Sequence, residues 1–152
     1  MVFYNSEALA NDFELVLKEN FEYTQEESVA RIVGLEINVS PDSIIIHQNG
    51  YIQNKGKEFN ADLILNRYTI PMKTEVSEGE PSITNVPYRG IIGSIMWAQT
   101  GTRPDVAYAV SKISKFLENH SDSNWKGAQM VLRYLFDTSH YGIKYEHRPG
   151  PG

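Results

Sequence analysis

The chain has 152 residues, no cysteine, 41% apolar side chains and a formal charge of −5. That length suits one ordinary domain or two subdomains sharing a core. The missing cysteine excludes a disulfide scaffold, a Cys-ligated metal site and a thiol nucleophile.

Residues 1–4 form a short apolar stub with strand preference. Asn5 or Ser6 can cap a following helix, in which Leu9, Phe13, Val16 and Leu17 recur at helical spacing among Asp12, Glu14, Lys18 and Glu19. Residues 21–28 read as an acidic loop. Residues 31–39 read as one strand containing Gly34. Ser40-Pro41-Asp42-Ser43 reads as a turn and residues 44–48 as a second strand, which together make a hairpin. Asn49-Gly50 ends it. Residues 51–66 then fit a helix with Ile52, Lys55, Phe59 and Leu63 near one stripe. Residues 68–85, with Pro71, Pro81, Gly79 and three acids, read as a long and mobile connecting loop.

The second half is more regular. Asn85 can cap a helix with Pro87 in its first turn and Tyr88, Ile91, Ile92 and Ile95 as its apolar stripe. Gly90 and Gly93 each cost about 1 kcal/mol against Ala inside a helix, so close packing against another backbone is their expected reason. Gly101 ends this helix. Thr102 and Asp105 have capping-box spacing around Pro104. Val106, Ala109, Val110, Ile113, Phe116 and Leu117 follow as a stripe. Asp122 or Ser123 starts a last helix with Trp125, Ala128, Val131, Leu132 and Leu135 inward. Short connections favour an antiparallel bundle. Residues 141–145 are a short strand candidate, and residues 147–152 a tail with no reason to be ordered. The charge is split: residues 1–85 carry 14 acids against 6 Lys and Arg, residues 86–152 carry 5 against 8. An acidic half joined to a basic one suggests two surfaces facing different partners.

No self-sufficient catalytic motif is present: no Walker A loop, no G-x-G-x-x-G, no H-E-x-x-H and no G-x-S-x-G. His47, His120, His140 and His147 read as scattered surface residues, because a closed metal site wants several convergent ligands. Glu36 reads as an outward-facing strand residue, with a functional carboxylate as the alternative. Arg103 stands at a helix start, where the dipole disfavours a cation, so it either grips a carboxylate or phosphate or is an exposed Arg beside Asp105. Trp97 and Trp125 read as packing residues ahead of stacking platforms. Lys112, Lys115, Lys126 and Arg133 read as a solvated face ahead of phosphate contacts. No apolar run approaches the ~20 residues of a membrane span, so no membrane partner is expected, and an intracellular location in cytoplasm or nucleus is.

The order of motifs carries a resemblance. "VPYRGIIGSIMWAQTGTRPDVAYAVSKISKFLENHSDSNWKGAQMVLRYLFDTSHYGIKY" resembles the region after the polymerase palm in copia-type retrotransposon reverse transcriptases. These read approximately Pro-Tyr-Arg, an Ile-Gly-Ser-Leu helix, Thr-Arg-Pro-Asp, a Val-Ser helix and a Trp helix ending Leu-Arg-Tyr-Leu. Upstream, "VGLEINVSPDSIIIHQNGYIQN" is similar to the family's Leu-Gly-Ile-Glu-Ile hairpin and Gln-x-x-Tyr-Ile helix, and "TIPM" to its Thr-Pro-Met. The likeness covers residues 1–145.

The resemblance implies an α+β fold. Residues 1–49 would be a palm remnant and a primer-grip-like hairpin, residues 50–138 a helical thumb-like bundle, and residues 139–152 a short strand and tail. It places the family's Val-Asp-Asp metal carboxylates before Met1 and its ribonuclease H acids after Tyr145. The expectation is therefore no catalytic residue, no metal ligand and no cofactor in this sequence, the parent polymerase using magnesium at carboxylates absent here. Two-metal chemistry needs clustered carboxylates. The implied partners are an RNA–DNA or DNA duplex and the palm and ribonuclease H portions of the polyprotein. The implied duplex contacts are Gly34, Glu36, Tyr51, Lys55, Lys57, Arg89 and Arg103, with the two arginines as phosphate or structural anchors. Such contacts position a duplex without reading its sequence. The rival reading is a protein-interaction module or an inert remnant derived from such a polymerase.

Overall fold

In a computed structural model, the structure describes residues 6–22, 31–64 and 85–146. The apolar stub at residues 1–4, most of the 68–85 loop and the 147–152 tail lie outside the described residues. The fold is mixed α+β: the described residues form five α-helices and a four-stranded antiparallel sheet in the order β1-β2-β3-β4.

The first helix, α1 (Glu7–Asn20), follows the apolar periodicity, and Ser6 precedes it without a side-chain capping bond. It buries none of its residues. The expected single strand over residues 31–39 is two strands. β1 (Arg31–Ile32) and β2 (Leu35–Ser40) are joined by Val33-Gly34, with φ of 48° and 77°. Two successive positive φ values make a hairpin turn whose twist matches the strands it joins. The sequence concealed it because a β-branched residue rarely occupies that region; Val33 is 78% exposed, so no packing demand opposes the turn. The second turn, at Pro41-Asp42, leads into β3 (Ser43–His47), and Ser40 Oγ hydrogen-bonds the Ser43 carbonyl at 2.9 Å across it.

Asn49-Gly50 opens the next helix instead of closing the hairpin. This helix, α2 (Asn49–Glu58), is shorter than the 51–66 expected. Asn60 takes a left-handed conformation (φ 55°), which breaks the α-helical ladder, and a 3-10 turn covers Ala61–Leu63. After residue 84 the chain forms α3 (Tyr88–Gly101), a 3-10 turn at Pro104–Val106, α4 (Ala107–Ile113), another 3-10 turn at Ser114–Phe116, and α5 (Asp122–Asp137). The cap of α5 is Ser121, one residue before the expected start. Its hydroxyl accepts from the Asn124 N–H while Asn124 Oδ1 accepts from the Ser121 N–H at 2.7 Å, a reciprocal capping box. The box expected at Thr102 and Asp105 does not form. Thr102 Oγ1 donates to Gln48 Oε1 at 2.9 Å, and Asp105 is engaged by Arg103 and Tyr134.

The core joins α2, α3, α4 and α5 through Ile52, Ile91, Ile95, Ile113, Val131 and Leu135, all 0–1% exposed. Tyr88 crosses it, donating its hydroxyl to the Ile113 carbonyl at 2.7 Å, and burial pushes its phenol up to about 12. Gln53 ties α2 to the end of α5 through the Phe136 carbonyl (3.2 Å) and Ser139 Oγ (2.7 Å). From there β4 (Gly142–Glu146) returns to pair with β3, His47 opposite Gly142. The chain therefore leaves the sheet at His47, builds the helices, and comes back beside the strand it left.

The glycines that meet close neighbours are not the two expected. A side chain at Gly93 meets nothing within 4 Å, and one at Gly90 makes only ordinary contact, with the Phe59 ring at 3.5 Å and Pro87 Cβ at 3.9 Å. Gly56 instead lies against the Phe136 ring, Gly101 against the Gln48 amide and Gly142 against the Ile46 carbonyl. Because the Ile46 carbonyl is backbone and cannot swing aside, Gly142→Ala is expected to lower stability in urea unfolding by about 1–3 kcal/mol. Gly93→Ala, in open space on a helix, is expected to raise it by up to about 1 kcal/mol.

Candidate nucleic-acid interface

Three of the implied contact residues meet where the hairpin and α2 approach α3. The β1–β2 turn carries Gly34, whose Cα side faces Trp97 Cζ2: an added Cβ would stand 3.9 Å from it. Tyr51 donates its hydroxyl to the Ser94 carbonyl at 3.2 Å, and Gln48 Nε2 lies 3.4 Å from the Trp97 carbonyl. Glu36 lies on the same hairpin. Its Oε1 accepts from the Gly50 N–H at 2.8 Å, and its Oε2 stands 3.6 Å from His47 Nδ1. A carboxylate at a helix N-terminus satisfies an otherwise free N–H and complements the dipole. Glu36 thus fixes the hairpin to α2.

Along α3, Arg89, Gly93 and Trp97 stand at i, i+4 and i+8, one stripe of a helix. Gly93 is open, and Trp97 is 44% exposed, at the open end of the half-buried packing expected for it. Arg89 donates Nε–H to the Leu117 carbonyl at 3.2 Å and borders a shallow groove with Ile92, Gly93, Met96, Leu117 and Glu118. Sequence reading missed this stripe by assigning Gly93 to close packing against another backbone. Its signal was the four-residue spacing from Arg89.

The remaining contacts are placed elsewhere. Lys55 and Lys57 lie in the last turn of α2. Lys55 is paired with Glu58 at 2.6 Å, and that hydrogen bond raises its ammonium above the ordinary value. Arg103 is 1% exposed, so it is not the exposed Arg of one reading, and its donors are taken up inside the protein. Its Nε and Nη2 grip both oxygens of Asp105 at 3.0 and 2.7 Å, while Nη1 and Nη2 donate to the carbonyl and hydroxyl of Thr138 at 2.9 and 2.7 Å. The guanidinium also lies over the rings of Tyr134 and Tyr141, at 5.3 and 5.5 Å from their centres.

Among the histidines, His47 Nε2 meets Asn38 Nδ2 at 2.9 Å, His120 stacks on Tyr88 at 4.5 Å, and His140 meets Tyr141 edge-on at 4.7 Å; His147 lies outside the described residues. The magnesium implied for the parent polymerase finds no ligand set among the described residues, where no three His, Asp or Glu gather. No helix among them is long and apolar enough to cross a membrane.

Burial pushes the Asp105 carboxyl up, but the hydrogen bonds from Arg103 and Tyr134 and the Arg103 charge outweigh it and hold the group below its ordinary 3.8. A carboxyl depressed on folding stabilises fully above its unfolded value and loses that contribution as pH falls through the lower folded one. Asp105→Asn is therefore expected to lower neutral stability and to flatten the acid-side loss measured by urea unfolding from about pH 5 downward. Arg103→Met leaves Asp105 without its cation and is expected to cost on the order of 3–5 kcal/mol at neutral pH.

No family model matches the chain, and no solved structure does. The curated relatives do. The retrovirus-related Pol polyprotein from transposon TNT 1-94 of Nicotiana tabacum is 42% identical over 62 residues, covering 41% of this chain and 5% of that protein. The Pol polyprotein from transposon RE2 of Arabidopsis thaliana is 30% identical over 131 residues, covering 84% of this chain and 9% of that protein. Secreted RxLR effector protein 161 of Plasmopara viticola is 41% identical over 61 residues, covering 40% of this chain and 43% of that protein. The chain thus spans less than a tenth of the two polyproteins, and its homologues are the retrovirus-related Pol polyproteins of plant transposons.

Proposed function

We propose that the chain is the part of a copia-type reverse transcriptase that follows the polymerase palm, and that it holds a template–primer duplex without reading its sequence. The observation that carries this is the Arg89–Gly93–Trp97 stripe with Gly34 against its far end. A duplex backbone needs a cation for phosphate and a surface free of projecting side chains. Arg89 supplies the first and the open Gly93 the second, while Trp97 offers a flat apolar face beside them. The role proposed is holding alone, and the isolated chain is expected to give no magnesium-dependent primer extension.

A second reading, a protein-interaction module, is favoured by one observation: the matching stretch makes up 43% of a protein named a secreted effector.

Binding of a labelled RNA–DNA hybrid, followed by fluorescence anisotropy against salt concentration, separates the two. The holding role predicts weak, strongly salt-dependent binding. Arg89→Ala is expected to reduce the log–log salt slope by about 0.9. Gly93→Leu, which meets no neighbour within 4 Å at its Cβ, is expected to weaken binding at least tenfold while leaving the circular dichroism spectrum unchanged. A well-folded chain that binds no hybrid at low salt rejects the holding role.

A further inference from the structure

The groove beside the Arg89–Gly93–Trp97 stripe carries an acid that duplex holding does not explain. Arg89 Nε–H donates to the Leu117 carbonyl at 3.2 Å, which ties the guanidinium across from α3 to the segment after the Ser114–Phe116 turn. Ile92, Gly93 and Met96 line the α3 side of the groove, and Leu117 and Glu118 the other. The guanidinium keeps its remaining donors for whatever enters, since among the described residues no acid pairs with it.

Glu118 directly follows the residue whose carbonyl holds Arg89, so an acid and a phosphate anchor share one end of the groove. Its side chain is exposed, and it takes part in no hydrogen bond or ion pair among the described residues. A carboxylate accepts hydrogen bonds and donates none. Beside a phosphodiester backbone it repels, unless a donor meets it. The sugar–phosphate backbone of DNA carries no such donor, whereas each ribose of RNA carries one, the 2′-hydroxyl. A hydroxyl donating to a carboxylate makes a charge-assisted bond, stronger than a neutral one.

We propose that Glu118 accepts a hydrogen bond from the 2′-hydroxyl of an RNA strand whose phosphate lies on Arg89, so that this groove selects the RNA strand of a hybrid. This assignment presupposes that the chain holds a duplex, and adds which strand lies along α3. The two charges act in sequence. Arg89 attracts any nucleic-acid backbone. Glu118 offsets that attraction for DNA and adds to it for RNA. Gly93, with no neighbour within 4 Å of an added Cβ, lets a strand descend between the two walls. Both contacts go to sugar and phosphate, so recognition stays independent of base sequence.

Fluorescence anisotropy at one low salt concentration compares an RNA–DNA hybrid, the same hybrid with a 2′-fluoro RNA strand, and the DNA duplex of that sequence. The 2′-fluoro strand keeps the RNA-like sugar pucker but cannot donate. The unaltered chain is expected to bind the ordinary hybrid about tenfold more tightly than the fluoro hybrid. Glu118→Ala should weaken the ordinary hybrid, tighten the DNA duplex, and abolish the difference between the two hybrids. Arg89→Ala should weaken all of them by a similar factor. Glu118 is exposed, so its substitution is expected to leave the circular dichroism spectrum unchanged. If Glu118→Ala tightens every duplex alike, the carboxylate is only a repelling charge; the proposal then fails and duplex holding stands. It fails in the same way if Glu118→Ala changes none of them. A folded chain that binds no duplex at all overturns both.

Discussion

The guanidinium of Arg103 joins the turn between α3 and α4 to the end of α5, 35 residues further along the chain. It sits just after α3, grips Asp105 in the turn before α4, and reaches Thr138 at the end of α5. Tyr134 closes the ring, donating its hydroxyl to Asp105 at 2.8 Å, and Thr138 Oγ1 in turn donates to the Tyr134 carbonyl at 2.7 Å. A buried cation without a partner is costly, so the group stands only if all these segments arrive together. Tyr141, under the same guanidinium, lies just before β4. The return of the chain to the sheet is therefore set from the same point as the packing of the helices.

The joint has a consequence for α3. One face, through Ile91, Ile92 and Ile95, is fully buried in the helical core. The opposite face keeps Gly93 and Trp97 open, and the hairpin tip at Gly34 comes up beside it. The hairpin is held there by polar groups rather than by a shared apolar core: Glu36 to the start of α2, and Gln48 between Thr102 and α3. A surface assembled this way has the bare Gly93 at its centre, between Arg89 and Trp97.

The split of charge takes a local form. The basic second half supplies Arg89 to the open stripe, but Arg103 and Arg133 are drawn into internal bonds, Arg133 to Asp137 and to the carbonyls of Ala61 and Asp62. Counting cations along the chain overstated the charge available to a phosphate backbone, because a guanidinium with several donors is also well suited to closing carbonyl ends of helices and turns. The acids of α1 flank an apolar stripe that stays open.

Much of the architecture was legible in the residues. The periodicity of α3 and α5, the Pro41-Asp42 turn and the short return strand each rest on a local rule, the spacing of apolar side chains or the φ preference of a turn. Where the sequence misled, a local rule met a neighbour from far along the chain. Val33 accepted a positive φ because the turn it forms is exposed. Asn49-Gly50 began a helix because Glu36, fourteen residues back, caps it. Thr102 left its capping role for Gln48. The candidate site shows the same division. The sequence by itself determined which side chains are cations, aromatics and glycines, and on which helix they stand. Only the tertiary structure decided that Arg103 is interior while Arg89 borders an open groove, and that the glycines pressed by neighbours are Gly50, Gly56, Gly101 and Gly142 while Gly93 is bare. Composition and spacing are properties of one segment, whereas burial belongs to the pair of segments that meet.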